Sequence, residues 1–259
     1  MKIKKIISFA LLGSMLLLTG CGSEESSGIQ KIKDKGVLKV GVKVDVPKFG
    51  NKNTSTNEVE GLEVDIAKAI SKKIFGEEKI ETQAVNAKTR GPLLDNGEID
   101  CVIATFTITD ERKQSYNFSD SYFEDGVGLL VKKDAGINSL KDLDGKTIGV
   151  SQSSTSKKAL ESAASELGIT LKFSEFGSYP ELKAALDSGR IQCFSVDAAI
   201  LNGYIDDSTV ILDDRFDPQQ YGVATKKSNT ELADLVNEVI NEMKSSGELD
   251  KLIEKWDIK

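Results

Sequence analysis

Two stretches of this chain read almost alike: LLDNGEIDCVIA at 93–104 and ALDSGRIQCFSV at 185–196. Each is a helix end, a glycine stop, and then a strand through an I-x-C core. A second pair echoes the first, with GVLKVGVK at 36–43 and GKTIGVSQ at 145–152 both reading as a strand that follows a glycine and runs into a polar loop. Chance similarity of α/β punctuation would give the same pairs, so the duplication stands as one of two readings. Either way, short strands alternate with helices along the chain, which predicts an α/β fold with parallel sheets and crossover helices. Open sheets of that kind bind ligands beyond the carboxyl ends of their strands. The polar residues just past each strand are therefore the candidates for function.

The helices carry their own marks. In GLEVDIAKAISKKI, Ile66, Ile70 and Ile74 fall on one face beside Ala67. SYPELKAAL offers Ser178 as N-cap, Glu181 three residues on and Pro180 in the first turn, the pattern of a capping box. SSTSKKALESAASELG starts with four hydroxyl residues and stops at Gly168, and ELADLVNEVINEMKSSG is amphipathic.

The 259 residues are enough for one large domain or two lobes. The net charge of -7 argues against a nucleic-acid partner, which usually shows as a basic patch. Histidine is absent, which removes the commonest general base and metal ligand. Three lysines followed by a short apolar stretch, Ile6 to Leu18, read as a leader rather than a membrane span. LLTGC at 17–21 resembles a lipobox, making Cys21 the expected lipidation site (palmitate among the acyl groups), with an ordinary secretory signal as the alternative. Residues 1–20 are then the lipoprotein signal peptide and 21–28 a flexible tether. Cys101 and Cys193, each at the start of a strand, are expected to be free buried thiols. DGKTIG is discarded as a phosphate loop because Leu140 stands where the first glycine is needed.

The segment TFTITDERKQSYNFSDSYF at 105–123 resembles the signature of the extracellular solute-binding proteins for polar amino acids, the receptors of ABC importers. NSLKDLDGKTIGV and SVDAAI fit the same family. VKVDVPKFG, VNAKTRGPLLDNGEID, FSEFGSYPELKAALDSGR and YGVATKK resemble its aspartate/glutamate-binding branch. The resemblance implies a two-lobe periplasmic-binding-protein-like (type II) fold joined by two crossing hinge strands. Lobe 1 would comprise 29–125 and 218–259, and lobe 2 would comprise 126–217. It further implies a monomeric, lipid-anchored receptor on the outer face of the cell membrane. This receptor delivers L-aspartate or L-glutamate to an ABC permease and needs no cofactor or metal. The alternatives are glutamine or another polar amino acid as ligand, or a sensor or surface protein rather than an importer component. The same fold also resembles a few periplasmic dehydratases, but no cleft acid suited to that chemistry stands out, so no enzyme is expected.

By the same resemblance Arg112 grips the α-carboxylate, for which its planar fork is suited. Asp197 takes the α-ammonium, while Lys43 and Arg90 face the side-chain carboxylate with Tyr179 beside them. Thr105 and Thr107 lie one strand period apart, so their hydroxyls are expected on one side. Ser154 and Thr155 open a helix whose free N–H groups favour a carboxylate. Three cations against Asp197 leave a site of +2. Each residue has a plainer role open to it: Arg112 as a surface residue at a helix start, Asp197 as a cap, Lys43 and Arg90 as solvated loop charges, and Tyr179, Ser154 and Thr155 as capping or packing groups. Val46 and Leu62 stand where many relatives carry aromatic rings that sandwich the ligand, which disfavours aromatic or long cationic ligands.

Overall fold

The structure, a computed structural model, describes residues 28–258; the leader and Cys21 lie outside the described residues. The chain runs α1 (Gly28–Lys35), β1 (Leu38–Val42), β2 (Asp45–Val46), β3 (Gly50–Lys52), β4 (Val59–Glu60), α2 (Leu62–Phe75), β5 (Ile80–Ala84), α3 (Arg90–Asn96), β6 (Cys101–Ile103), α4 (Asp110–Ser115), β7 (Tyr116–Phe118) and β8 (Phe123–Lys132). It continues through β9 (Thr147–Ser151), α5 (Ser156–Leu167), β10 (Lys172–Phe176), α6 (Tyr179–Asp187), β11 (Cys193–Asp197), α7 (Ala198–Leu201), β12 (Thr209–Ile211), β13 (Phe216–Tyr221), β14 (Ala224–Lys226), α8 (Thr230–Ser246) and α9 (Glu248–Lys255).

Two mixed sheets organise these elements. One has the order β5-β1-β6-β14-β7, the other β10-β9-β11-β8-β12. In the first, β1 pairs in parallel with β5 and β6, setting Val40 against Cys101. In the second, β9 pairs in parallel with β10 and β11, setting Ile148 against Cys193. Both sheets therefore place their second strand outside the first and the I-x-C strand inside it, so the sequence echo is a repeat of topology. The expectation of parallel sheets holds only for these three-strand cores. β14 and β8 join them antiparallel.

The long β8 is the bridge. Its first residues pair antiparallel with β13, Phe123 against Tyr221 and Asp125 against Gln219, while its later residues sit inside the second sheet. β8 and β13 thus form a two-stranded ribbon between the two lobes. A small β2-β3-β4 sheet flanks the first lobe at the cleft.

Local chemistry explains the elements that shape the cleft. Gly61 precedes α2 at φ 140°, and a Cβ there would stand 2.1 Å from the Phe49 carbonyl oxygen, so only glycine fits. α2 then buries Ile66, Ile70 and Ile74 and ends at left-handed Gly76. Burial of each isoleucine contributes roughly 1.5–3 kcal/mol. At α6 the capping box is complete: Ser178 Oγ accepts from Glu181 N–H, and the Glu181 carboxylate accepts from Ser178 N–H. Cys101 and Cys193 are buried free thiols.

The lobes touch. One apolar cluster takes in Val46, Phe49 and Leu62 from the first lobe, Tyr179 and Phe194 from the second, and Tyr221 of the bridge. At the rim, a Cβ on Gly203, just past α7, would lie 2.8 Å from the Pro47 ring, so the two lobes meet there without room for a side chain.

Candidate functional site

Four parallel strands aim their carboxyl ends at the interlobe gap. Lys43 follows β1, Thr105 lies two residues beyond β6, Ser154 and Thr155 follow β9, and Asp197 closes β11. This is where an open α/β sheet collects ligand groups.

Arg112 lies in α4, whose N-cap Thr109 accepts from the Arg112 N–H. Its guanidinium rests on the Phe106 ring, donates to the Thr107 carbonyl at 2.8 Å, and reaches across to the Ser153 carbonyl of the second lobe at 3.2 Å. Burial, with Arg90 nearby, pulls its pKa down to about 9. Arg90 opens α3 and is 4% exposed. It too lies on Phe106, and one terminal nitrogen donates to the carbonyls of Ala104 and Thr105 at 2.6 and 3.0 Å. Its Nε is buried without a hydrogen-bond partner. Among the described residues neither arginine forms an ion pair, although both sense Asp197.

Lys43 is 1% exposed, with its ammonium 3.3 Å from Asp45 Oδ1 and 4.3 Å from the centre of the Tyr179 ring. Burial lowers its pKa, and Asp45 opposes that shift. Asp197 is buried and accepts from the Tyr221 hydroxyl of the bridge. Burial pushes its carboxyl up to about 7; the Tyr221 bond and the two arginines pull the other way. Gln219 of the bridge ties both lobes, its Oε1 accepting from Thr107 Oγ1 at 2.8 Å and from Thr155 Oγ1 at 2.7 Å.

Lys43, Arg90, Arg112, Asp197, Tyr179, Thr105 and Thr107 therefore gather in one place. The readings of Arg90 and Lys43 as solvated charges are excluded, since both are buried. Three expectations need correcting. Thr105 and Thr107 do not alternate on a strand: β6 ends at Ile103, and Thr105 turns at φ 44° because Glu63 accepts its N–H while Arg90 holds its carbonyl. Ser154 Oγ donates to the Ser151 carbonyl within its own turn, and Ser154 precedes α5, whose N-cap is Thr155, rather than opening the helix. The site charge is not +2, because Asp45 pairs with Lys43 and Glu63 is buried beneath Arg90 and Lys43.

Asp45, Glu63, Phe106, Gln219 and Tyr221 are the contributors that sequence reasoning missed. Asp45 sits two residues from Lys43 in VKVDVP, a spacing that could have flagged a partner. Glu63 reads as an ordinary first-turn acid of α2. Outside this cluster the gap widens into a groove of about 1130 Å³, lined by Arg112, Thr107, Ser154, Thr155, Arg215 and Gln220 among others. No group of acids and cysteines among the described residues is arranged to hold a metal ion.

Two α/β lobes on a two-stranded bridge, closing on convergent buried charges, define a bilobal receptor that traps a small polar solute. The chain belongs to the bacterial extracellular solute-binding proteins, family 3, whose pattern matches residues 38–258. It is 40% identical over 98% of its length, and 97% of the relative's, to the ABC transporter glutamine-binding protein GlnH of Bacillus subtilis. It is 42% identical to the glutamine-binding protein of Geobacillus stearothermophilus, covering 85% of this chain and 92% of that one. A crystal structure of a mutant of ArgBP from T. maritima superposes with a TM-score of 0.81 at 30% identity, covering 88% of this chain and 98% of that one.

Proposed function

We propose that this protein is the amino-acid receptor of an ABC importer and that its ligand is acidic, L-aspartate or L-glutamate. The observation that carries the acidic reading is the inventory of unmatched charges, with Glu63 held as the neutral acid by its burial. The guanidiniums of Arg90, buried, and Arg112, half-buried, have no carboxylate in ion-pair range among the described residues, and Asp197 has no cation. An unpaired buried charge is costly. A zwitterion with a second carboxylate supplies what is missing: its α-carboxylate for Arg112, its α-ammonium for Asp197, and its side-chain carboxylate for Arg90 with Lys43 and Tyr179 alongside. Thr105, Thr107 and Thr155 border the same space, with the Thr155 end of α5 nearest the α-carboxylate. Val46 and Leu62 give the ligand's carbon chain an apolar floor.

Glutamine is the second reading. By likeness to the named relatives it stands ahead of the acidic pair, and the Lys43–Asp45 pairing leaves one cation already matched. Calorimetric titration with a panel of amino acids decides between them. Binding of aspartate or glutamate in preference to glutamine is the expected result; binding of glutamine without the acidic pair would sink the acidic reading.

The moving bodies are proposed to be 29–125 with 218–259, and 126–217, turning on β8 and β13. The ligand favours the closed state by supplying the absent charges. Anchoring through Cys21 on the outer face of the membrane rests on LLTGC, and Cys21→Ser should release the protein from membranes in fractionation. A monomer is expected by light scattering.

A further inference from the structure

Glu63 is fully buried, at the second position of α2. Its Oε1 accepts from the Thr105 backbone N–H at 2.6 Å and from the Tyr122 hydroxyl at 2.6 Å. Its Oε2 is buried and has no hydrogen-bond partner, and no ion pair involves the group among the described residues. The charged groups that bear on it are Lys43, beyond β1, and Arg90, at the start of α3. Tyr122, just before β8, adds a hydroxyl. An orphaned oxygen in a dry setting favours the neutral acid, because desolvation penalises the ionised form. Burial is the larger influence and raises the carboxyl; the two donors and the two cations oppose it.

We propose that Glu63 is a specificity-determining residue whose charge sets whether the cleft accepts a second ligand carboxylate. Resting on the amino-acid reading above, the arithmetic is short. With Glu63 as the neutral acid, Lys43, Arg90 and Arg112 face Asp45 and Asp197, an excess of one positive charge that an acidic amino acid cancels. With Glu63 ionised the excess is gone, and a neutral amino acid such as glutamine is the matched ligand. Glu63 touches no ligand itself. It acts through Arg90 and Lys43, and through Thr105, whose left-handed turn it holds.

The test is calorimetry of L-glutamate and L-glutamine in a series from pH 5 to pH 9, on the wild type and on Glu63→Gln. The substitution keeps an Oε1 acceptor for Thr105 and Tyr122 and fixes the neutral charge. Asp197 meets the α-ammonium that both ligands share, so its titration cancels in their affinity ratio. In the wild type the glutamate-to-glutamine ratio should fall severalfold as pH rises through the range in which Glu63 gives up its proton. In Glu63→Gln it should be flat, and at the high end of the range severalfold above the wild type. Equal weakening of both ligands, or a ratio that ignores pH in the wild type, would overturn the proposal and leave Glu63 a packing residue. If Glu63→Gln does not fold, wild-type titrations in two buffers of different ionisation enthalpy replace it. Proton uptake with glutamate alone at the high end of the pH series supports the proposal, and equal uptake with both ligands refutes it. A wild type that binds neither amino acid fails the underlying reading first, which is a different outcome from binding without charge discrimination.

Discussion

Replacing Asp197 with asparagine should make the empty receptor sturdier and the loaded one weaker. The carboxylate is buried, with the Tyr221 hydroxyl as its donor. Its folded pKa of about 7 lies above the unfolded value, so its contribution to stability is present at low pH and is lost as pH rises toward 7. Above pH 7 the ionised group weighs against the fold. The move from 3.8 to about 7 corresponds to an upper limit on the order of 4 kcal/mol. Asparagine keeps the shape and an acceptor for Tyr221. Asp197→Asn should therefore raise the ligand-free Tm at pH 8 by several degrees, at about 2–4 °C per kcal/mol for a chain of this size. The difference from wild type should shrink at pH 6. Binding moves the other way. Losing a charge-assisted hydrogen bond to the ammonium, worth roughly 1.5–3 kcal/mol, should weaken every amino-acid ligand by roughly 10- to 150-fold. Differential scanning fluorimetry and calorimetry at pH 6 and 8 read both effects. A lower ligand-free Tm at pH 8, or an unchanged Kd, would refute the reasoning.

Arg112→Ala should abolish binding of all amino acids. Arg90→Ala should weaken acidic ligands by roughly 10- to 150-fold, the scale of one charge-assisted contact, and glutamine far less; equal losses for both ligands in both variants, by calorimetry, would contradict the division of roles. Gly61→Ala should cost at least about 3 kcal/mol in urea unfolding, because backbone strain at positive φ adds to the collision with the Phe49 carbonyl. Burial pushes the Cys101 and Cys193 thiols up, so both should ignore a disulfide reagent in the native protein and react once it is unfolded.

Much of the frame was legible because it is written in local chemistry. The spacing of Ile66, Ile70 and Ile74 marks α2, Ser178 and Glu181 mark the start of α6, and the paired I-x-C strands mark a repeat that the strand orders share. The placing of Lys43, Arg90 and Arg112 beside the gap came from the resemblance rather than from local chemistry. Their balance was not legible. Asp45 and Glu63 reach the cleft only through the path of the small sheet and the entry of α2, which depend on contacts distant in sequence. The end of β6 was hidden for a related reason: Thr105 is a good strand residue by propensity, and only Glu63 and Arg90 together hold it in a left-handed turn. The hinge role of Gln219 likewise exists only once Thr107 and Thr155 arrive from opposite lobes.

The contact between Gly203 and Pro47 has a mechanical corollary. The absent side chain works like the clearance left in a door frame, and bulk added at position 203 would act as a shim. A valine or leucine there would hold the jaws ajar while leaving every charged group in its place. Capture and shutting would then become separately adjustable, and a transporter that responds only to the shut shape would see a loaded receptor as an empty one.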